Sequence, residues 1–183
     1  MSLLHDLLEV NSDSDQERSV VIVRISDYIT KNGYRVVDEN LEKPWGAFWR
    51  FDNSQAEHFI KEFFPGLTVE EAGRGVAGAE LSPKILLVAP EQRLSWQYHH
   101  RRAERWRNVA GPAAYHRSLT DYQGEKIDFP VNTIVQFDTS ERHRLVSGNG
   151  WSIIAEIWQH SDPTNPTDED DIVRVADDYN RNV

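Results

Sequence analysis

From residue 81 onward the chain is a succession of short apolar runs, at 85–88, 94–97, 106–109, 113–116, 132–137, 143–146 and 151–158, each broken by turn-forming residues. Regular spacing of this kind is the pattern of an all-β barrel or sandwich. At 183 residues the chain is long enough for one domain with a sizeable core, whereas two domains would both be small.

The first part of the chain reads differently. Ser14 with Glu17 three residues on is a capping-box pattern, and the apolar residues Val20, Val21, Val23, Ile25, Tyr28 and Ile29 end at Asn32-Gly33. A helix over 15–31 follows, although the β-branched run at 19–25 also suits a strand, and 33–40 reads as extended. Ser54 and Glu57 repeat the capping box before the helical spacing of AEHFIKEFF, which Pro65-Gly66 stops. Between them Trp45, Phe48, Trp49 and Phe51 cluster around Gly46, a set expected to plug a barrel end rather than to touch substrate. GRGVAG at 73–78 has the spacing of a dinucleotide loop but lacks a clear preceding strand and a long following helix, so that reading is set aside.

Charge and composition exclude several roles. A net charge of −10 and a pI near 5.1 argue against phosphate-backbone binding, so nucleic acid is not an expected partner. The local cluster Arg101, Arg102, Arg105 and Arg107 is either a solvated strand face or an anion site. The absence of cysteine removes disulfides and thiolate metal sites. No apolar run reaches membrane-spanning length, and the Leu3, Leu4, Leu7, Leu8 cluster is interrupted by His5, Asp6 and Glu9 without a cleavable signal pattern, so a cytoplasmic protein is expected.

Chemistry concentrates in LSWQYHHRRAERWRNVAG at 94–111. Gln97 and His99 are two apart, and on a strand they point to one side. Glu104, after a short turn, is placed to add a carboxylate from the neighbouring strand, and His143 is the best downstream candidate for a fourth ligand. Imidazole, amide oxygen and carboxylate together suit one divalent ion, zinc first, with manganese or iron as alternatives. His100 falls on the opposite strand face. His58 reads as a surface or packing residue, and His5, His116 and His160 show no partner.

The spacing of Gln97, His99, Glu104 and Gly111 resembles the first cupin motif. LSWQYHHRRAERW more narrowly resembles the LSLQ-HHHR-AEHW segment of the type II mannose-6-phosphate isomerase cupin domain, whose first ligand is also glutamine. Lys43-Pro44-Trp45-Gly46 resembles that family's RPWG, and residues 169–181 resemble its closing EDDIVR-x-x-D-x-Y-x-R. The resemblance implies a mainly β fold, a cupin double-stranded β-helix barrel with additional N-terminal helices. Residues 1–40 are then a helical extension packed on the barrel. Residues 41–183 form the cupin domain, with a helical insertion near 54–64 and a C-terminal capping segment, read as a short helix within 168–178.

The second cupin motif departs from the family pattern. Asp138, Ser140 and Ser147 stand where cupins place proline, glycine and asparagine, and Glu91 replaces the glycine that opens the first motif, changes that affect turns more than ligands. Arg101 and Arg105 stand at family histidine positions and are expected to tune the substrate. The implied function is a metal-dependent sugar-phosphate aldose–ketose isomerase acting through an enediol. Lys84 and Glu156 align with family strand residues as proton-transfer groups, and Arg174, with Arg181 and Arg142, is the substrate-anion partner. A non-catalytic sugar or nucleotide-sugar binding cupin is the alternative from another class, and an iron oxygenase a third. A sugar or sugar phosphate is the expected ligand, and a homodimer a possible assembly.

Overall fold

The run at 152–160 is buried along its whole length as strand β10 (Ser152–His160), so it needs cover on both faces. It receives it at the centre of a six-stranded sheet, where it lies antiparallel to β3 (Lys84–Val88) on one side and β5 (Arg102–Ala110) on the other. β1 (Val36–Lys43) and β2 (Gly46–Phe51) extend the sheet beyond β3, and β8 (Ile134–Phe137) closes the far edge against β5. A second, five-stranded sheet runs in the order β11 (Val173–Ala176), β4 (Trp96–Tyr98), β9 (Arg142–Ser147), β6 (Ala113–Ser118) and β7 (Ile127–Phe129). These elements belong to a computed structural model that describes residues 15–160 and 164–181; Ser14, His5 and the leucine cluster at 3–8 lie outside them.

Strand parity gives two cores. Leu86, Val88, Trp106 and Ile154 of the large sheet meet Leu145, Phe137 and Phe129 inside the barrel. Their alternates Ile85, Leu87, Ile153, Ala155 and Ile157 face outward and pack under α1 (Arg18–Lys31) and α2 (Ala56–Phe63). α1 contributes Val21, Ile25, Tyr28 and Ile29, and α2 contributes Phe59, Ile60 and Phe63. The aromatic run of β2 divides in the same way. Trp49 and Phe51 join the helix-covered core, while Trp45 and Phe48 turn into the barrel. They therefore line an interior cavity instead of plugging an end.

Several local expectations are corrected. α1 begins at Arg18 with Glu17 at its N-cap and no side-chain cap bond. At the second helix the capping group is Asp52, whose carboxylate accepts from the Ser54 amide at the start of a 3-10 turn (Asn53–Gln55). The complete capping box belongs to a further helix, α3 (Val69–Ala72), through Thr68 and Glu71. The closing segment is strand β11, not a helix, because Val173 and Val175 alternate with Arg174 in an extended run that pairs with β4, Arg174 opposite Gln97. No helix among the described residues is long and apolar enough to cross a membrane.

Two glycines fix close approaches between strands. At Gly46, φ is 149° and a Cβ would lie 1.8 Å from the Leu87 carbonyl oxygen; at Gly111, φ is 87° and a Cβ would lie 1.9 Å from that of Trp151. Elsewhere the chain keeps glycine-like geometry without glycine: Glu91 and Ser140 adopt φ of 60° and 63°. The two replaced turn positions thus hold their conformation, each at a cost of about 1 kcal/mol.

Candidate metal centre

The segment at 94–111 does not form a hairpin. β4 lies in the five-stranded sheet and β5 in the six-stranded one, so the chain crosses the barrel between His99 and Arg102. Glu104 accordingly reaches His99 from the facing sheet, not from a neighbouring strand. His143 enters from β9, whose register sets it opposite Gln97. His99, Glu104 and His143 converge in the interior, each at most 2% exposed, with one ligand atom of each within 4.8 Å of the others.

The orientation of both rings is fixed from behind. His99 Nδ1 donates to the Asp171 carbonyl oxygen at 2.5 Å, and His143 Nδ1 donates to that of Glu141 at 2.9 Å. A carbonyl only accepts, so each Nδ1 carries a proton, and it is Nε2 of each ring that faces inward, the nitrogen that a neutral imidazole offers to a metal. His99 Nε2 is 3.0 Å from Glu104 Oε1, and His143 Nε2 is 3.4 Å from Oε2 and has no hydrogen-bond partner. Burial holds His99 below the usual histidine range against the pull of Glu104, so the ring is neutral. Burial alone would raise Glu104, but its surroundings, the Arg102 guanidinium at 3.0 Å among them, hold the carboxyl well below the usual range. Arg102 approaches His99 Nε2 at 3.5 Å and binds Glu104 Oε1 at 3.0 Å, while the buried His143 Nε2 is left without any partner, an orphaned donor atom beside a buried carboxylate that a divalent cation fits.

Gln97 lies on the same side as His99 and lines the adjoining cavity, but its Oε1 accepts from Ser95 Oγ at 2.5 Å. His100 points away, edge-on to Tyr98 at 5.2 Å, and takes no part in the cluster. Asp171 organises the crossing: its carboxylate accepts from the His100 and Arg101 amides and from Thr167 Oγ1, which hold it below the usual range although burial opposes them.

Glu156, Lys84 and Glu104 line one cavity with Arg102, Arg174 and Arg181. Trp106 Nε1 bridges the two buried carboxylates, 3.2 Å from Glu104 Oε2 and 3.0 Å from Glu156 Oε2. Burial and the charge of Glu104 push Glu156 up to about 7, with Lys84 and Arg102 pulling the other way. Lys84 Nζ lies 3.7 Å from Glu156 and 3.0 Å from Glu169, and both Lys84 and Arg102 stand 4.0 Å over the Trp158 ring. Arg174 arrives from β11, whose continuation is tied down by Tyr179 to Gln92 and by Asp178 to Arg144.

The remaining candidates fall elsewhere. Arg142 alternates with His143 and therefore faces outward, bound to Asp121 and stacked on Tyr98, so it does not line the cavity. The arginine cluster splits by parity. Arg102 turns inward to Glu104, Arg105 turns out to Gln136, Arg107 caps the C-terminal carbonyls of α2, and Arg101 binds Asp168. The two arginines at family histidine positions thus sit outside the cavity. His58 is half exposed near Glu62, His116 bonds the Gly124 carbonyl, and His160 bonds that of Glu80. The inward faces of Arg102 and Trp106 were the residues sequence reasoning passed over, although their i, i+2, i+4 spacing with Glu104 carried the signal.

Comparison with known proteins agrees with this architecture. The family described as "Mannose-6-phosphate isomerase C-terminal" matches residues 76–177, more than half of the chain. Among solved structures, the capsular polysaccharide assembling protein CapF from Staphylococcus aureus superposes with a TM-score of 0.50 at 14% identity, covering 84% of this chain and 40% of that one. This chain therefore spans well under half the length of CapF. A cupin 2 conserved barrel domain protein from Salinispora arenicola gives a TM-score of 0.45 at 16% identity over 68% of this chain and 82% of that one. No curated protein matches the chain. The barrel, the matched segment and the inward His99, Glu104 and His143 together make this chain a cupin that belongs to the mannose-6-phosphate isomerase C-terminal family.

Proposed function

We propose that the protein is a metal-dependent aldose–ketose isomerase acting on a sugar phosphate. The observation that carries the reading is Glu156. It is a buried carboxyl group poised near neutrality that lines the same cavity as the candidate metal ligand Glu104. A divalent ion, zinc first, would be held by His99, Glu104 and His143, with Gln97 beside them as a further candidate ligand, and would supply Lewis acidity to the sugar carbonyl. Glu156 takes the proton from C2 of the aldose and returns it to C1 while the hydroxyl proton of O2 passes to O1, so the product is an isomer and no external oxidant or reductant is consumed. A base with a pKa near the working pH is matched to moving a proton both ways. Trp106 holds the carboxylate by its N–H, and Lys84, 3.7 Å away, steadies the ionised form and donates to the sugar oxygens. Arg174 meets the anionic part of the substrate from β11, with Arg181 beside it.

The test is solvent exchange. The zinc-loaded protein is expected to incorporate deuterium from D2O at C2 of mannose 6-phosphate, and Glu156→Gln to abolish incorporation at unchanged metal content. A fully metal-loaded protein that binds sugar phosphates and exchanges no hydrogen across a broad aldose-phosphate panel is a binding module, and that result would overturn the isomerase.

A further inference from the structure

The cations that line the cavity are not equivalent. Arg102 is matched by Glu104 at 3.0 Å, Lys84 by Glu169 at 3.0 Å and by Glu156 at 3.7 Å, and Arg181 by Asp177. Lys43 and Arg174 line the same cavity and have no carboxylate in salt-bridge contact among the described residues. Lys43 Nζ lies 5.6 Å from the centre of the Phe48 ring, an aromatic contact that leaves its charge without a counterion. Arg174 is half-buried, and its Nε is buried with no hydrogen-bond partner, an unmet donor that a ligand oxygen would complete. Asp177, the acid whose charge acts on Arg174, is engaged by Arg181 through both carboxylate oxygens.

The β1–β2 turn that presents Lys43 is also held in place. The Arg18 guanidinium reaches from α1 to the carbonyl oxygens of Leu41 at 2.6 Å, Lys43 at 3.1 Å and Gly46. Gly46 brings the turn against Leu87 as no other residue could. A pinned turn keeps a lysine at a set place over the cavity, and a preorganised cation loses less on binding an anion than a mobile one.

We propose that Lys43 and Arg174 form the anion subsite of the cavity and select a phosphorylated sugar over its neutral counterpart. This rests on the isomerase reading for the identity of the sugar alone. In this arrangement Lys84 is reserved by Glu169 and Glu156 for the reacting end, and the phosphate is held between the β1–β2 turn and β11. Phosphate oxygens take charge-assisted bonds from both side chains, so loss of either is expected to weaken binding about tenfold or more.

Calorimetric titration of the zinc-loaded full chain with mannose 6-phosphate, mannose and inorganic phosphate tests the assignment. The wild type is expected to bind the two phosphates and to bind mannose at least about tenfold more weakly than its phosphate. Lys43→Glu and Arg174→Ala should each weaken mannose 6-phosphate about tenfold or more, and Lys43→Gln should fall between Lys43→Glu and wild type. Lys61→Glu makes the same change of charge on the exposed face of α2 and should bind as wild type does. Binding to Lys43→Glu as tight as to Lys61→Glu, or equal affinity of the wild type for mannose and its phosphate, would overturn the subsite. Deuterium exchange on the same samples separates the two proposals. Lys43-dependent phosphate binding without exchange keeps the subsite and removes the isomerase, whereas exchange with Lys43-independent binding does the reverse.

Discussion

Along β10 the two faces of one strand do different work. Ile153, Ala155 and Ile157 are packed with the aromatic side chains of β2 and α2, while Glu156 and Trp158 look into the barrel among Lys84, Arg102 and Glu104. Period-two alternation alone produces the division. The outward face gains burial from the helices, which lets the inward face carry charged groups that contribute little to stability and cost desolvation. A cupin barrel with helices packed on one sheet therefore separates where the fold is held from where the chemistry sits.

If that division is real, the largest loss of stability should come from the outward face. Phe59 is fully buried and touches Phe51 and Phe63 at ring separations of 5.7 Å and 4.6 Å. Phe59→Ala should cost about 3 to 5 kcal/mol in urea unfolding while leaving metal content per folded chain unchanged. A variant that loses metal in proportion to stability would show that the two faces are not independent.

The inward face gives the next largest effect, seen in pH dependence. The folded-state pKa of Glu156 is raised from 4.5 to about 7, so the folded state favours the protonated acid. Its contribution is fully present below pH 4.5 and is lost as pH rises through 7, a decline of about 3 kcal/mol in the metal-free protein. Glu156→Gln should remove that decline when stability is compared with wild type from pH 4 to pH 8. Zinc should shrink it in the wild type, because neutralising Glu104 weakens the repulsion that helps raise Glu156. A wild type and variant with parallel profiles would mean that Glu156 ionises at an ordinary pKa.

Much of this was legible in the sequence, and what was not has a common cause. The short apolar runs announced the strands, and Gln97, His99, Glu104 and His143 stood out by residue type and spacing. Parity said which side chains share a face of one strand, but it could not say which sheet each strand joins. Glu104 was accordingly placed beside His99 when it lies across from it. The same gap hid Asp171, which fixes His99 from 72 residues away in the chain. It also hid β11, whose acidic flanks read as a helix until its pairing with β4 is seen. Arg142 departs from its sequence expectation for a simpler reason: next to His143 on a strand, it faces the other way.

Metal content measured on purified wild type, His99→Ala, His143→Ala and His100→Ala, after zinc loading and dialysis, tests the central claim most directly. The wild type and His100→Ala are expected to retain one ion per chain, and His99→Ala and His143→Ala to lose most of it, since each removes one of the inward Nε2 donors. Equal retention in all four proteins, or equal loss in His100→Ala, would contradict the assignment of His99, Glu104 and His143 as the metal centre.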